Sequence, residues 1–263
     1  MFVRRFETWG SEPFDQNVGV VLAADGLVVI DTRASYRLAD ELQAELHELS
    51  RLPVMAVINT HHHWDHTFGN GRFVPAPIWG HRRCAQRVRD DGDAMRSRVS
   101  AAAPEYADEL AEVVLTPPTQ LVDDAATLDL GDRQLQLTHL GNGHTDNDIV
   151  IALADASVTF AGDLLENEAA PGYGDAYPDA WAATVGERLV PLIGGAVVPG
   201  HGSVGDRAFA TTQAADLRAM AELGRLVAAG ELDEEEAARR APFPAGTART
   251  AIARSALELA PAE

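Results

Sequence analysis

Lysine is absent from this 263-residue sequence, and cysteine occurs only once, as Cys84. A single cysteine excludes an internal disulfide and a cysteine-rich zinc knuckle, so we expect Cys84 to be a small buried side chain on a helix. Basic residues are also few, since 21 arginines stand against 40 acidic residues and leave a net charge of −19. A field of this sign repels nucleic acids and anionic membranes. We therefore expect neither as a partner, and we expect a small-molecule substrate; no oligomeric state is predicted.

Long apolar runs are lacking as well. No stretch approaches the roughly 18 apolar residues of a membrane-spanning helix, and the first fourteen residues, MFVRRFETWGSEPF, contain no signal-peptide core. We expect a soluble, cytoplasmic protein. A hydrophobic content of 46% suffices for a full core. We predict one domain over residues 1–263, with residues 206–263 forming a C-terminal helical part packed on it.

Strand and helix patterns alternate along the chain. Residues 17–32, NVGVVLAADGLVVIDT, predict a hairpin ending at Asp31, because Asp25-Gly26 suits a tight turn. Leucines at spacings of three and four predict an amphipathic helix over residues 35–50, and residues 53–59 predict a buried strand. Further strands are predicted at 77–79, 119–122, 127–130, 134–139, 148–154, 157–163 and 195–202, and helices over 81–112, 179–192 and beyond 206.

Four histidines and an aspartate stand within residues 61–66 of the segment NTHHHWDHTFGN. In an extended segment His61 and His63 would share one face, so both imidazoles could reach one metal ion. Asp65 and His66 follow where the chain turns, and they could face a second position. A surface chelating tract is the alternative, but this one follows a buried strand.

Neither half of this cluster completes a catalytic zinc site, which needs at least three protein ligands and one open position. The missing ligands must come from other strand ends. Three positions fit, His144, Asp163 and His201, and each follows an apolar run and stands beside glycine, which permits close backbone approach. Each alone could be a turn or capping residue, but their joint spacing favours a metal site.

These motifs, in order, resemble those of the metallo-β-lactamase superfamily. The resemblance spans about residues 17–203 and rests on Asp31, HxHxDH at 61–66, His144 in Gly-His-Thr, Asp163 in Ala-Gly-Asp and His201 in Pro-Gly-His-Gly. It implies an α+β fold, an αββα sandwich of two mixed β-sheets flanked by helices, with a binuclear metal site at the edge between them.

The resemblance also implies a set of ligands. One metal would be held by His61, His63 and His144, the other by Asp65, His66 and His201, and Asp163 would bridge both. Two divalent cations are expected, Zn²⁺ first, with Mn²⁺ or Fe²⁺ as alternatives. We interpret Asp31 as a residue that fixes the loop around the ligands rather than as a ligand.

Such a centre predicts hydrolysis. Two cations outweigh Asp65, Asp163 and one hydroxide in charge, and they lower the pKa of bound water to about 7. We expect the bridging hydroxide to attack the carbonyl of a small ester, thioester, lactone or amide, with Asp65 as the catalytic residue that orients it and shuttles its proton. Tyr173 and Tyr177, with Trp181, are candidates either for substrate binding or for packing the loop after Asp163.

Other activities of the superfamily remain alternatives. A true β-lactamase is disfavoured because Asp163 stands where lactamases with a cysteine ligand carry that cysteine, and because no export signal is evident. An acidic, lysine-free C-terminal region disfavours glutathione thioesters. A persulfide dioxygenase with a single iron, and a structural or sensing metal centre without catalysis, stay open, and metal analysis distinguishes them.

Overall fold

The computed structural model describes residues 1–8 and 14–260. The chain divides into two compact units: Met1–His139 with Ile149–Asp155, and Leu140–Asp148 with Ala156–Glu263. The single domain predicted over residues 1–263 extends beyond the described residues and stays a prediction. No helix within the described ranges is long and apolar enough to cross a membrane.

The first unit combines strands with helices on the chain segments between them. Its strands are β1 Phe2–Thr8, β2 Phe14–Leu22, β3 Leu27–Ile30, β4 Val54–Ile58, β5 Ile78–His81, β6 Gln120–Val122, β7 Ala125–Asp129, β8 Gln134–His139 and β9 Ile149–Leu153. Its helices are α1 Tyr36–Leu49, α2 Trp64–Thr67, α3 Arg82–Asp90, α4 Gly92–Ala102 and α5 Ala107–Ala111, with 3₁₀ turns at Asn70–Phe73 and Pro104–Tyr106. The predicted alternation of the two element types is confirmed.

The strands of this unit pair in both directions. β1, β2 and β3 are antiparallel neighbours, and β3, β4, β5 and β6 run parallel to one another. β7, β8 and β9 form an antiparallel set. The predicted hairpin is confirmed, with Leu22 opposite Leu27 across the Asp-Gly turn. Parallel strands place their carboxyl ends at one edge, so the loops after β3 and β4 emerge together.

Helix α1 lies where the leucine spacing predicts it. Ser35 caps it, since its hydroxyl accepts from the backbone N–H of Leu38 at 3.3 Å. Leu42 and Leu46 are buried in a cluster with strand residues such as Val57. Leu49 fits the same spacing but is 39% exposed, because the helix ends there.

The second unit contains two strands and the C-terminal helices. They are β10 Val158–Glu166, α6 Pro178–Ala183, a π-helical turn Thr184–Leu189, α7 Val190–Leu192, β11 Ala196–His201, α8 Arg207–Ala228, α9 Glu234–Arg240 and α10 Ala245–Glu258. β10 and β11 are parallel. All nine residues of β10 are buried, and apolar side chains make up most of the strand, with Asp163 and Glu166 as its buried carboxylates.

Candidate metal centre

The histidine cluster lies in the loop after β4, beside the loop after β3. The sequence predicts an extended segment at residues 61–63, and the structure differs, because β4 ends at Ile58 and the chain bends before α2 begins at Trp64. His63 is the N-terminal flanking residue of that short helix. The bend, rather than strand alternation, brings His61 and His63 together.

Within this loop the predicted ligands form two close pairs. His61 Nε2 lies 3.0 Å from His63 Nδ1. His66 Nε2 lies 3.2 Å from Asp65 Oδ2. His61 and His66 are fully buried, and Asp65 is 5% exposed. Imidazole nitrogens and carboxylate oxygens held this close in a buried loop are the donor groups that divalent transition metals bind.

Asp31 fixes the back of this loop, as predicted for it. Its backbone has a φ of 65°, a left-handed conformation that aspartate tolerates better than most residues. Oδ1 accepts from the backbone N–H of Thr60 at 2.8 Å, and Oδ2 accepts from the Thr60 hydroxyl at 2.9 Å. Oδ2 also lies 2.8 Å from His66 Nδ1. One carboxylate therefore orients an imidazole and holds the chain on both sides of His61.

Two buried asparagines that sequence reasoning missed close the same loop. Asn59 donates through Nδ2 to the carbonyl of His66 at 3.2 Å and to Asn70 Oδ1 at 3.0 Å. Asn70 returns a hydrogen bond from Nδ2 to Asn59 Oδ1 at 2.8 Å. Gln16 also donates to the backbone carbonyl of Asp65. The asparagines flanking the histidine run, in NTHHH and FGN, were the available signal.

The second unit brings together the other three predicted ligands. His144 Nε2 lies 3.5 Å and His201 Nε2 lies 3.2 Å from the same oxygen, Oδ2 of Asp163. The three residues are 4–6% exposed. A carboxylate between two imidazoles has the donor set expected of an aspartate that serves two metals.

Glycine is required on β11 for this approach. A Cβ on Gly200 would stand 1.7 Å from Asp163 Oδ1, so a larger residue would displace the carboxylate. Gly202 has a φ of 82°, and a Cβ there would stand 1.8 Å from the Asn167 carbonyl oxygen. The Pro-Gly-His-Gly motif thus sets the space around His201.

The turn that carries His144 is fixed by its own polar side chains. Asp148 accepts from the backbone N–H of Thr145 at 2.7 Å and from its hydroxyl at 2.9 Å. The Thr145 hydroxyl accepts from the N–H of Asn147 at 3.1 Å. Asp148, in HTDND, was not predicted to have this role, because nothing in the sequence distinguishes it from Asp146 two residues earlier.

Glu166 at the end of β10 is a further residue near His144 that the sequence analysis missed. Its Oε1 accepts from the N–H of Gly172 at 2.8 Å and lies 4.0 Å from His144 Nδ1. Gln213 of α8 holds its backbone, accepting from the Glu166 N–H at 3.1 Å and donating to its carbonyl at 2.6 Å. Helix α8 therefore fixes the end of β10, three residues after Asp163.

The aromatic residues that follow β10 differ in environment. Trp181 of α6 is fully buried and donates through Nε1 to the Leu164 carbonyl at 3.1 Å, so it packs α6 against β10. Tyr173 is 3% exposed with its ring 5.1 Å from that of Trp181, and its hydroxyl has no hydrogen-bond partner among the described residues. Burial, with the Glu166 carboxylate, raises the pKa of Tyr173 well above its usual value.

Tyr177 is half-buried under the Arg254 guanidinium, 5.8 Å from its ring centroid. A substrate role for Tyr173 and Tyr177 stays a prediction.

Comparison with known proteins identifies the family. The family model of the metallo-beta-lactamase superfamily matches residues 11–229. The chain belongs to this superfamily. Over 206 residues it is 25% identical to a metallo-beta-lactamase type 2 of Bacillus cereus, covering 76% of this chain and 72% of the relative. It is also 27% identical to the human acyl-coenzyme A thioesterase MBLAC2, with 57% of this chain and 58% of that protein covered.

Solved structures show the same fold. A metallo-beta-lactamase family protein from Thermus thermophilus aligns with a TM-score of 0.70 at 21% identity, covering 98% of this chain and 91% of that one. A metallo-beta-lactamase from Pontibacter korlensis aligns with a TM-score of 0.67 at 21% identity, over 82% of this chain and 94% of that one. The predicted α+β metallo-β-lactamase fold is confirmed. The chain is a hydrolase of this superfamily and carries histidine and aspartate clusters with the donor chemistry of a divalent metal site.

Proposed function

We propose that this protein is a binuclear metal-dependent hydrolase that cleaves a small ester, thioester, lactone or amide. The observation that carries the proposal is the pairing of buried histidine and aspartate donors in both units, at His66 Nε2–Asp65 Oδ2, 3.2 Å, and at His201 Nε2–Asp163 Oδ2, 3.2 Å. Their order along the chain follows the motifs of the family. The proposed ligands are His61, His63 and His144 for one cation, Asp65, His66 and His201 for the other, and Asp163 for both.

The donor set suits zinc. Its members are neutral imidazole nitrogens and carboxylate oxygens, the groups that catalytic zinc takes when no cysteine is present. When bound, the two cations would supply a water of lowered pKa and Lewis-acid positions for the acyl oxygen of the substrate.

The chain itself determines which imidazole nitrogen is available. Because Asp31 Oδ2 accepts at 2.8 Å from His66 Nδ1, the proton of that imidazole is held at Nδ1 and the lone pair stands at Nε2. Nε2 is the atom that faces Asp65, which is a proposed ligand of the same cation. Asp31 therefore prepares His66 for metal binding without being a ligand.

Asp65 is the proposed catalytic residue. Its backbone is held by Gln16 and its side chain by His66, so its carboxylate is fixed rather than free to rotate into solvent. A fixed carboxylate can orient a nucleophilic water and hold the proton that the water loses. In this proposal Tyr173 supplies an unionised O–H for the developing oxyanion, which its raised pKa favours.

Hydrolysis of a β-lactam is a second candidate, because two relatives from Bacillus are named metallo-beta-lactamase type 2. An acyl thioester is favoured over it by the human thioesterase relative and by the aspartate at position 163. Both reactions break an acyl bond and use the same residues, so substitutions at the site would not distinguish them. A panel that contains both substrates does.

The test combines metal analysis with that panel. Protein loaded with zinc, manganese or iron is assayed with an acyl-CoA, a lactone, an aryl ester and a β-lactam. We expect two zinc ions per chain, loss of turnover with a chelator, and recovery when zinc returns. His61→Ala should lower turnover by more than about a hundredfold, beyond the loss typical of residues behind the ligands. The exposed Arg89→Gln, on α3, is the control and should leave turnover unchanged.

Three results would overturn the proposal. One iron per chain with oxygen consumption on a persulfide would identify a dioxygenase instead. Full turnover of the best substrate by His61→Ala would show that the reaction does not need the proposed metal site. Two tightly held zinc ions with no turnover of any panel member would favour a structural or sensing centre.

A further inference from the structure

The first unit contains a cavity of about 410 Å³ that is separate from the histidine loop. Its walls come from the carboxyl-terminal half of α1 with the segment that follows it, the starts of β3 and β4, and the end of the 3₁₀ turn Asn70–Phe73. The lining residues are Leu27, Gln43, Leu46, His47, Ser50, Arg51, Leu52, Pro53, Val54, Arg72, Phe73 and Val74. A volume of this size is within the usual range for small-molecule sites.

The charge of this lining is unlike that of the whole protein. Two arginines and a histidine line the cavity and no acidic residue does, in a chain with 40 acidic residues and 21 basic ones. Arg72 is already paired, with its guanidinium 3.0 Å from Asp40 and stacked over the Tyr36 ring at 4.4 Å. Arg51 has no hydrogen bond or ion pair to any described residue, so its charge is available to a ligand.

The position of the cavity excludes a direct part in the metal chemistry. Val54, at the first residue of β4, lines the cavity, whereas the histidine loop follows Ile58 at the last residue of that strand. At a rise of about 3.3 Å per residue, the two ends are roughly 13 Å apart. A small ligand held at Val54 would not touch His61.

We propose that this cavity binds a monocarboxylate with an apolar tail, whose carboxylate pairs with Arg51 and whose tail packs on Leu46, Leu52 and Val54. One unpaired guanidinium matches one negative charge. Phosphate is disfavoured relative to a monocarboxylate, because α1 presents its carboxyl end to the cavity and the partial negative charge there opposes a doubly charged anion more strongly than a singly charged one. Such a carboxylate is also the class of acid released from an ester or thioester. This last link rests on the proposed function, but the binding site does not.

Calorimetric titration of the metal-loaded protein tests the proposal with three probes: octanoate, 1-octanol and inorganic phosphate. Octanoate should bind about fivefold more tightly than octanol, the size of one partly exposed ion pair, and this advantage should shrink with added salt. Phosphate should not bind. Equal affinity for octanoate and octanol, or tighter binding of phosphate, would contradict the proposal.

Variants locate the binding. Arg51→Gln should weaken octanoate about fivefold and leave octanol unchanged, whereas the control Arg89→Gln, also exposed and unpaired among the described residues, should change neither. His61→Ala should keep octanoate binding, because that residue belongs to the metal site. If His61→Ala abolishes binding and Arg51→Gln does not, the carboxylate binds at the metal centre and the cavity proposal is wrong, while the proposed hydrolase is unaffected. Near-ultraviolet circular dichroism confirms that each variant is folded.

Discussion

Asp31 Oδ2 lies 2.8 Å from Nδ1 of His66, a residue 35 positions further along the chain. Both side chains are buried, at 2% and 0% exposure. The contact joins the loop after β3 to the loop after β4, and it leaves Nε2 as the nitrogen of His66 that faces Asp65. The proposed metal site thus depends on a residue that is not itself a proposed ligand.

Asp31→Asn should therefore weaken metal binding, although the two side chains are nearly the same size. If the amide keeps its oxygen towards the Thr60 N–H, its NH₂ group faces His66 and favours the tautomer with the proton on Nε2. We expect zinc affinity to fall by about 10- to 100-fold, measured by competition with a chromogenic chelator. Asp25→Asn, in the exposed hairpin turn, is the control. Unchanged zinc affinity would show that Asp31 does not orient His66.

Gly200→Ala should damage the second half of the site. The new Cβ would stand 1.7 Å from Asp163 Oδ1, so either the carboxylate or the strand must move. We expect a loss of about 1–3 kcal/mol of unfolding free energy, as for other overpacked sites, together with a lower zinc content. Gly194→Ala, where a Cβ meets nothing within 4 Å, should change neither. Full zinc content in Gly200→Ala would mean that β11 can shift without moving the Asp163 carboxylate from its position.

Tyr173→Phe should separate stability from activity. The hydroxyl is buried without a partner among the described residues, so its removal should raise the unfolding free energy by about 1 kcal/mol. If the O–H serves the oxyanion, kcat falls while the protein becomes more stable, and the loss should not depend on pH in the neutral range because the phenol stays protonated. Tyr177→Phe is the control for stability. Unchanged kcat would leave Tyr173 as a packing residue.

Leu42→Ala tests the packing of α1 on the sheet. Leu42 is fully buried in the cluster with Leu46 and Val57, so we expect a loss of about 2–5 kcal/mol from the removed contacts and the remaining cavity. Leu49→Ala, on the same helix but 39% exposed, should cost much less. Denaturant melts of the two variants give the comparison. Equal losses of unfolding free energy would mean that the contacts of Leu42 contribute no more to stability than those of the exposed Leu49.

Sequence alone predicted many of the elements, although it missed β1 and expected one helical region over residues 81–112 where the structure has α3, α4 and α5. Spacing predicted the hairpin, helix α1 and β4, because apolar periodicity and turn chemistry are local properties. Composition excluded an internal disulfide, since the chain has a single cysteine. The ordered motifs predicted the family, which the match over residues 11–229 confirmed.

Only the tertiary structure decided how the donors are held. The bend after Ile58, the amide pair of Asn59 and Asn70, and the Asp148 contacts with Thr145 depend on residues meeting in space at particular distances. Sequence spacing carries no such distances, because a buried polar group gains its partner from whichever element packs beside it. Burial likewise placed Trp181 in the core and left the Tyr173 hydroxyl unpaired among the described residues, although the two aromatics are close in sequence.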